Sequence, residues 1–262
     1  MARAIAGMSI VITGASAGIG LALARRLAAQ GARLTLAARR LDRLDAFNAA
    51  HGGGHRCVRA DVGIAADCAA VVDAARAAFG RIDTLVCNAG FGLHQPVAAT
   101  SAADWRAMFA TNLDGTVECI RAVLPLMRAQ DPVAGWRGQI VIVSSCLARR
   151  AAPLMAAYSA TKAAQLSLAE ALRVEERPRR IAVTSVHPIG TETEFQAVAG
   201  RGDASGVATG PRQSADAVAR AMLRAIRRPR PECWPAWWSR PAFAAMGFVP
   251  SLVDLAMARL LR

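Results

Sequence analysis

The sequence predicts an α/β protein, a single domain built on a doubly wound parallel sheet with helices on both faces. Short, continuous apolar runs alternate with segments of helical composition, as is typical of parallel strands buried between two helical layers. A glycine-rich turn joins the first apolar run directly to the first helical segment. The length of 262 residues allows a sizeable core and is short for two domains.

Six apolar runs are predicted to be strands, and five segments are predicted to be helices. The strands are residues 8–13, 33–38, 56–60, 82–87, 139–144 and 181–186. The helices are residues 21–30, 42–50, 66–79, 102–129 and 156–176. Ligands of such a sheet bind beyond the carboxyl ends of its strands. Side chains that directly follow the strands are therefore the candidates for a binding site.

Composition excludes some classes of protein. Apolar residues make up 54% of the chain, which excludes a disordered protein. The net charge of +13 comes from arginines spread along the chain, without a nucleic-acid-binding motif or stacking aromatic residues. We therefore expect a solvated basic surface and no nucleic-acid partner. The six cysteines show no metal-ligand spacing, so we expect reduced thiols and no metal site.

Two apolar regions could be confused with membrane segments. Residues 4–24 carry no charge, but their glycines favour a ligand-binding turn over a targeting segment, and we expect a cytoplasmic protein. Residues 231–262 form an apolar C-terminal extension rich in tryptophan. This extension could lie on a membrane surface, although packing over the pocket or against another subunit is the favoured interpretation.

The glycine-rich turn has the arrangement of a phosphate-binding site. Gly14, Gly18 and Gly20 follow the first predicted strand and precede a helix. This arrangement presents backbone N–H groups and a helix N-terminus to a pyrophosphate. The spacing differs from that of the general dinucleotide fingerprint, so the turn alone is weak evidence.

The only tyrosine and the only lysine of the chain lie four residues apart, at Tyr158 and Lys162. On a helix this spacing places both side chains on one face. An ammonium group near a phenol favours the phenolate and should lower the phenol pKa. The pair is therefore a candidate general acid and base.

Taken together, these motifs resemble those of the short-chain dehydrogenase/reductase family, in its compact branch of about 250 residues. The motifs occur in the order found in that family and cover residues 8 to about 195. The residues that carry the resemblance are Thr13, Gly14, Gly18, Ile19, Gly20, Asp61, Val62, Asn88, Ala89, Gly90, Asn112, Ser145, Tyr158, Lys162, Pro188 and Thr193.

The resemblance implies a Rossmann-type sheet of seven parallel strands, a nicotinamide cofactor, and hydride transfer between an alcohol and a carbonyl. It implies that Tyr158 is the general acid/base and that Lys162 lowers its pKa and binds the nicotinamide ribose. Ser145 would hold the substrate oxygen, and Asn112 would anchor a water that links Lys162 to solvent. The cofactor-binding residues would be Gly14, Ser16, Gly18, Ile19, Gly20, Arg39, Asp61, Val62, Asn88, Ala89, Gly90, Tyr158, Lys162, Pro188 and Thr193. The family's assemblies imply a homodimer or homotetramer.

The sequence departs from the family pattern at two positions, and these departures limit which residue roles can be inferred from the resemblance. Ile189 follows Pro188 where glycine is common, so the loop that leads to Thr193 can follow a different path. Cys87 stands where a second asparagine is common. Residues 189–210 as a whole are predicted to form a substrate lid.

The end of the second strand favours NADP(H), while NAD(H) stays possible. No acidic residue follows this strand to bind the ribose hydroxyls of NAD, and Arg39 and Arg40 follow instead. A guanidinium can pair with a 2′-phosphate. The apolar side chains Phe91, Leu93 and Met155 favour a lipophilic carbonyl or alcohol. An NAD-dependent alcohol dehydrogenase and a catalytically silent cofactor sensor remain the alternatives.

Overall fold

A seven-stranded parallel sheet forms the centre of the protein. The computed structural model describes residues 2–195, 199 and 211–259. The strands, in the order β3-β2-β1-β4-β5-β6-β9, all pair in parallel. They are β1 Ser9–Thr13, β2 Arg33–Ala38, β3 Arg56–Arg59, β4 Thr84–Cys87, β5 Gly138–Val143, β6 Ile181–Val186 and β9 Glu232–Cys233; a separate parallel pair is formed by β7 Thr191–Glu192 and β8 Gln213–Ser214.

Helices cover both faces of this sheet. Buried side chains of α1, α2 and α7 form one apolar core with the sheet, and those of α3, α5 and α6 form a second core on the opposite face. The fold is therefore the predicted doubly wound single domain. The helices are α1 Gly18–Ala28, α2 Leu41–Ala50, α3 Ala65–Phe79, α4 Ala102–Phe109, α5 Gly115–Ala129, α6 Ala156–Glu176, α7 Ala215–Arg227, α8 Ser239–Met246 and α9 Pro250–Arg259.

The six predicted strands lie within two residues of the observed ones. Every residue of β1, β4, β5 and β6 is buried, because helices cover both faces of these strands, and this produces the continuous apolar runs in the sequence. The seventh strand, β9, was not predicted from the residues. It is two residues long and contains Glu232, so it has no apolar run to identify it.

The helix predicted over residues 102–129 is interrupted, and this prediction is corrected. Residues Ala110–Asp114 form a π turn between α4 and α5. In a π turn the backbone hydrogen bonds skip one residue further than in an α-helix, and such turns are often found at functional sites. Thr111, Asn112, Asp114 and Gly115 are weaker helix formers than their neighbours, although the prediction continued the helix through them.

The order in which strands are added to the sheet reverses at β1, and this switch point defines the binding crevice. β1 pairs with β2 on one side and with β4 on the other, so the following helices α1 and α3 lie on opposite faces. In open α/β sheets a crevice forms at such a switch point, outside the carboxyl ends of the strands. The glycine turn and the residues after β4 and β5 lie at this edge.

The C-terminal extension is attached to the sheet through aromatic contacts but exposes many apolar side chains. Trp234 stacks on the buried His187 with ring centroids 4.5 Å apart. Large exposed apolar side chains of α8, α9 and the neighbouring turns are Trp237, Trp238, Phe248, Val249, Leu252 and Leu255. Among the described residues, no single helix is long and apolar enough to cross a membrane. Helices α8 and α9 reach that length and apolarity only when taken together, and the chain bends by 106° between them.

Candidate active site

The glycine turn between β1 and α1 packs so closely that two of its glycines leave no room for a side chain. Gly14 has φ +66°, and a Cβ atom there would lie 2.8 Å from Cα of Ala89. A Cβ atom at Gly20 would lie 2.5 Å from the carbonyl oxygen of Gly14. The turn therefore exposes backbone rather than side chains at the start of α1. This geometry fits a pyrophosphate bound at a helix N-terminus.

Thr13 and Asn88 hold this turn against the end of β4. The Thr13 hydroxyl oxygen accepts hydrogen bonds from the backbone N–H groups of Asn88 and Ala89, at 3.0 and 3.1 Å. The Asn88 amide Nδ2 donates to the carbonyl oxygens of Thr13 and Gly14. Asn88 therefore fixes the loop, in addition to any contact with a ligand.

Other predicted cofactor residues surround the same crevice. Thr193 lies against the glycine turn. A Cβ atom at Gly18 would lie 3.1 Å from the Cγ2 atom of Thr193. The Asp61 carboxylate accepts a hydrogen bond from the backbone of Gly63, and Val62 is buried beneath Gly115. Pro188 is buried after β6, where its carbonyl accepts a hydrogen bond from the Cys146 N–H. Ile19 packs against the core.

Ser145 and Tyr158 are brought together beyond the end of β5. Ser145 is buried, and its hydroxyl oxygen accepts a hydrogen bond from the Leu147 N–H at 3.1 Å. The Ser145 side chain also acts on the Tyr158 phenol and lowers its pKa. Tyr158 lies in the first turn of α6, so the two hydroxyl groups converge from two different elements. The sequence predicted that these two residues act together, and both lie beyond the carboxyl end of β5.

Lys162 lies one helical turn further along α6 and is buried. Its Nζ donates hydrogen bonds to the Val143 carbonyl oxygen and to Oε1 of Gln165, each at 2.9 Å. The same Nζ lies 5.5 Å from the centroid of the Tyr158 ring. Burial lowers the pKa of Lys162 to about 7, because a charged amine loses its hydration there.

The expected lowering of the Tyr158 pKa is wrong for this structure. Burial raises the pKa of Tyr158, and the side chain of Ser145 opposes this rise only in part. Desolvation disfavours the charged form of both partners, so it raises the pKa of a phenol and lowers the pKa of an amine. The amine at 5.5 Å from the ring does not outweigh this effect.

Asn112 lies in the π turn and connects three elements around this pair. Its Nδ2 donates to the Phe91 carbonyl oxygen at 2.8 Å and to the Thr161 hydroxyl at 3.0 Å. Its Oδ1 accepts from the Phe91 N–H at 3.0 Å. Gly90 lies beside it, since a Cβ atom there would be 3.0 Å from that oxygen and 3.5 Å from Lys162 Nζ.

The two arginines after β2 have different surroundings. The Arg39 side chain is 80% exposed, and its guanidinium lies 3.9 Å from the Asp61 carboxylate. Arg40 reaches back to the glycine turn, where its Nη2 and Nε donate to the Ser16 hydroxyl at 3.2 and 3.3 Å. Arg40 and Arg43 also pair with the Glu194 carboxylate, at 2.8 and 2.6 Å. These arginines hold the pKa of Glu194 below its usual range.

The substrate side of the crevice is mostly apolar. Phe195 packs on Tyr158 with ring centroids 5.3 Å apart, and Gly92 fits closely against both rings. The arginines of the loop after β5 are already paired: Arg149 with Glu232 at 2.6 Å, and Arg150 with Asp254. Residues 196–198 and 200–210 of the predicted lid lie outside the described residues.

Three side chains at this site were not singled out from the sequence. Gln165 contacts Lys162. Glu194 forms ion pairs with both Arg40 and Arg43. Gln165 could have been recognised as a polar residue three positions after Lys162, on the same helix face. Glu194 could not, because its partner Arg40 is 154 residues away in the sequence.

Comparisons with known proteins agree with this geometry. The sequence matches the short chain dehydrogenase family over residues 8–203. It is 37% identical over 252 residues to 11-beta-hydroxysteroid dehydrogenase A of Sesamum indicum, covering 89% of this chain and 70% of that protein. Two solved structures are also similar, each at 27% identity. A Burkholderia phymatum short chain dehydrogenase/reductase in complex with NAD has a TM-score of 0.84, with 95% of this chain and 96% of that chain covered. A Burkholderia cenocepacia short chain dehydrogenase in complex with NADP has a TM-score of 0.81, with 99% and 100% covered.

The fold and the crevice define a nucleotide-dependent oxidoreductase with a Rossmann-type sheet. The chain belongs to the short-chain dehydrogenase/reductase family. It is an NAD(P)-dependent oxidoreductase that acts on CH–OH groups of small-molecule substrates. The close-packed glycine turn, which leaves backbone accessible at the start of α1, fits this cofactor.

Proposed function

We propose that the protein is an NADP(H)-dependent reductase that interconverts a lipophilic carbonyl compound and its secondary alcohol. The observation that carries the proposal is the convergence of Ser145, Tyr158 and Lys162. The Ser145 side chain acts on the Tyr158 phenol, and the Lys162 amine lies 5.5 Å from the centroid of the phenol ring. Such an arrangement can bind a carbonyl oxygen and supply a proton to it.

In this mechanism the bound nicotinamide supplies or accepts the hydride. Ser145 donates a hydrogen bond to the substrate oxygen and stabilises the charge that develops there. Tyr158 donates its phenolic proton to that oxygen during reduction and withdraws it during oxidation. The raised pKa of Tyr158 suits the donor role, because the phenol stays protonated at neutral pH. Lys162 and Asn112 hold Tyr158 and the loop after β4 in place.

The remaining predicted residues would bind the cofactor. The glycine turn, with Gly14, Gly18 and Gly20, would hold the pyrophosphate. Asp61 and Val62 would contact the adenine side, and Asn88, Ala89, Gly90, Pro188 and Thr193 would surround the ribose and nicotinamide. The sequence assigned the contact with the 2′-phosphate to Arg39; we now propose Arg40 for it, because the Arg40 guanidinium lies against Ser16 while the Arg39 side chain is 80% exposed.

The lipophilic substrate is supported by the apolar crevice and by one relative. Phe195 and Gly92 pack on the Tyr158 ring, and Phe91, Leu93 and Met155 lie in the adjoining loops. The similar protein from Sesamum indicum is named as a hydroxysteroid dehydrogenase. A flat, apolar ketone of that chemical class is therefore a suitable first substrate.

The decisive experiment combines a substrate panel with two single-residue variants. Aliphatic, steroid-like and acyl ketones are assayed with NADPH and with NADH. We expect Tyr158→Phe to lower kcat by at least about a hundredfold, since it removes the proton donor. NADPH binding, measured by fluorescence, should remain largely unchanged.

Two serines provide a matched comparison. Ser145→Ala should lower kcat strongly. Ser144→Ala should retain turnover, since the Ser144 hydroxyl donates to the Lys162 backbone carbonyl instead of facing Tyr158. Unchanged turnover in Tyr158→Phe would remove the proposed mechanism. Cofactor binding with no turnover on any ketone would instead favour a sensor.

A further inference from the structure

A fully buried glutamine connects Lys162 to the π turn. Gln165 lies three residues after Lys162 on α6, so the two side chains share a helix face. Its Oε1 accepts a hydrogen bond from Lys162 Nζ at 2.9 Å. Its Nε2 donates to the Asn112 carbonyl oxygen and, at 2.9 Å, to the Thr116 hydroxyl. The amide oxygen and the amide nitrogen of Gln165 therefore both form hydrogen bonds.

The π turn holds this amide in a single orientation. The Thr116 hydroxyl donates to the Asn112 carbonyl oxygen at 2.7 Å, so it can only accept from Gln165. A glutamine turned by 180° would place its oxygen against the Asn112 carbonyl and its NH2 group against the Lys162 amine. Both contacts would be repulsive. The oxygen of Gln165 is thus fixed toward Lys162.

The hydrogen bonds of Lys162 leave one donor for a ligand. A protonated amine has three N–H groups, and two of these point to the Val143 carbonyl and to Gln165. The third is available for Tyr158 or a bound ribose. Both fixed acceptors are neutral, so the amine is oriented without a carboxylate that would neutralise its charge.

We propose that Gln165 is a positioning residue, which orients the Lys162 amine toward Tyr158 and favours its protonated form by accepting a hydrogen bond from it while anchored to the Asn112 carbonyl. The resemblance implies a water at Asn112 that links Lys162 to solvent, and Gln165 contacts both Lys162 and the Asn112 carbonyl. The catalytic meaning of this inference rests on the proposed function. The link itself is a property of the folded chain and can be tested without turnover.

The surroundings of Lys162 make its protonation sensitive to this one acceptor. Tyr158 is the titratable side chain in contact with it, and Cys146 acts in turn on Tyr158. Strand β5 contributes the Val143 carbonyl, the π turn and α5 contribute Asn112 and Thr116, and the loop after β4 contributes Gly90. None of these groups is charged. A hydrogen bond accepted from the ammonium favours its charged form, which opposes the effect of burial.

The lone lysine allows a direct test. In protein labelled with 13C-lysine, the Cε signal of Lys162 is the only lysine signal, and its change with pH reports the pKa. Gln165→Met removes the acceptor and should lower this pKa below that of the wild type. Gln165→Glu places a carboxylate beside the amine and should raise it by about 1 to 3. The two variants should therefore shift the titration in opposite directions.

Gln139 provides a matched control. It is also fully buried, accepts from a cation, Arg3, and donates to a threonine hydroxyl and a backbone carbonyl. Gln139→Met should leave the Lys162 titration unchanged, although it removes an equivalent set of hydrogen bonds. Thermal unfolding establishes that each variant is folded.

Opposite shifts in the two Gln165 variants, with no shift in Gln139→Met, would support the proposal. A wild-type titration in Gln165→Glu, or equal shifts in Gln165→Met and Gln139→Met, would overturn it. If Gln165→Met does not fold, the Gln165→Glu titration decides alone. A failed proposed function leaves this result intact, because no substrate is present.

Discussion

At the scale of single residues, the cofactor preference depends on Arg40 and Glu194. Arg40 contacts both Ser16 and Glu194 and its side chain is 43% exposed, whereas the Arg39 side chain is 80% exposed. We expect Arg40→Met to weaken NADPH binding by at least about tenfold and to leave NADH binding nearly unchanged, because only NADPH has a 2′-phosphate. Arg39→Met is the matched control, with a smaller effect. Fluorescence titrations with both cofactors measure the difference.

Glu194 should act in the opposite direction. Its carboxylate pairs with Arg40 and Arg43, so a 2′-phosphate must compete with it for the same guanidinium. We expect Glu194→Gln to tighten NADPH binding by about two- to fivefold, as expected for an exposed ion pair. A gain of the same size for NADH would contradict this interpretation.

Lys162 should also affect stability in a defined pH range. Its pKa in the folded protein is about 7, below the value of about 10.4 expected in the unfolded chain. Below pH 7 the folded state must carry a buried charge, and between pH 7 and 10 the amine loses its proton in the folded state only. The free energy of unfolding should therefore rise with pH across this window.

The comparison with Lys162→Met isolates this effect, since other titrating groups are common to both proteins. Relative to the variant, the wild type should gain on the order of 3 kcal/mol between pH 7 and 10. Urea unfolding at several pH values measures this gain. A constant difference between the two proteins would show that Lys162 titrates normally.

Much of the site could be predicted at this scale, because its residues follow strands in a recognisable order. Ser145, Tyr158 and Lys162 lie together as expected, since α6 packs beside the end of β5. The pKa of Tyr158 could not be predicted, because it depends on how much water the fold removes around the phenol. The pairing of Arg40 with Glu194 could not be predicted either, since it joins residues far apart in the sequence.

At the scale of elements, the β1–α1 turn should be the part least tolerant of added atoms. A Cβ atom at Gly20 would lie 2.5 Å from a backbone oxygen, which cannot move without displacing the turn. We expect Gly20→Ala to destabilise the fold by about 1–3 kcal/mol and to abolish tight NADPH binding. Denaturant unfolding and fluorescence titration measure the two effects.

Gly54→Ala is the control for this prediction. A Cβ atom at Gly54 meets nothing within 4 Å, so its unfolding free energy should change by less than about 0.5 kcal/mol. Equal effects of the two substitutions would mean that the turn can relax around a methyl group.

Elements differ in how clearly the sequence indicates them. Strands buried on both faces require continuous apolar residues, so β1, β4, β5 and β6 are evident from composition. The π turn is not, because the weak helix formers Thr111, Asn112 and Asp114 indicate a weaker helix without specifying a π turn. The short strands β7, β8 and β9 have only two residues each, too few for any periodic pattern.

At the scale of the whole molecule, the exposed apolar residues of the C-terminal extension should lie in an interface between subunits. Trp237 is 80% exposed and Phe248 is 88% exposed. We expect a homodimer or homotetramer in light scattering. Because each subunit has a net charge of +13, added salt should strengthen assembly by screening the repulsion between copies.

A double substitution tests which surface is used. Trp237→Ser with Phe248→Ser should shift the assembly toward monomers, whereas Ile64→Ser, at an exposed apolar residue before α3, should not. A wild-type monomer that binds acidic lipid vesicles in low salt would contradict the subunit interface and favour a membrane surface. The cytoplasmic location stays a prediction.

The small parallel pair of β7 and β8 has a consequence for the evolution of specificity. Thr191 pairs with Gln213 and Glu192 with Ser214, so the segment of residues 193–212 begins and ends at this strand pair. Closing a loop twice as long costs only about 0.6 kcal/mol. Insertions, deletions or replacement of the segment between β7 and β8 should therefore leave the central sheet undisturbed. We expect length changes there to alter substrate choice more than proton transfer, because Ser145, Tyr158 and Lys162 lie outside this segment.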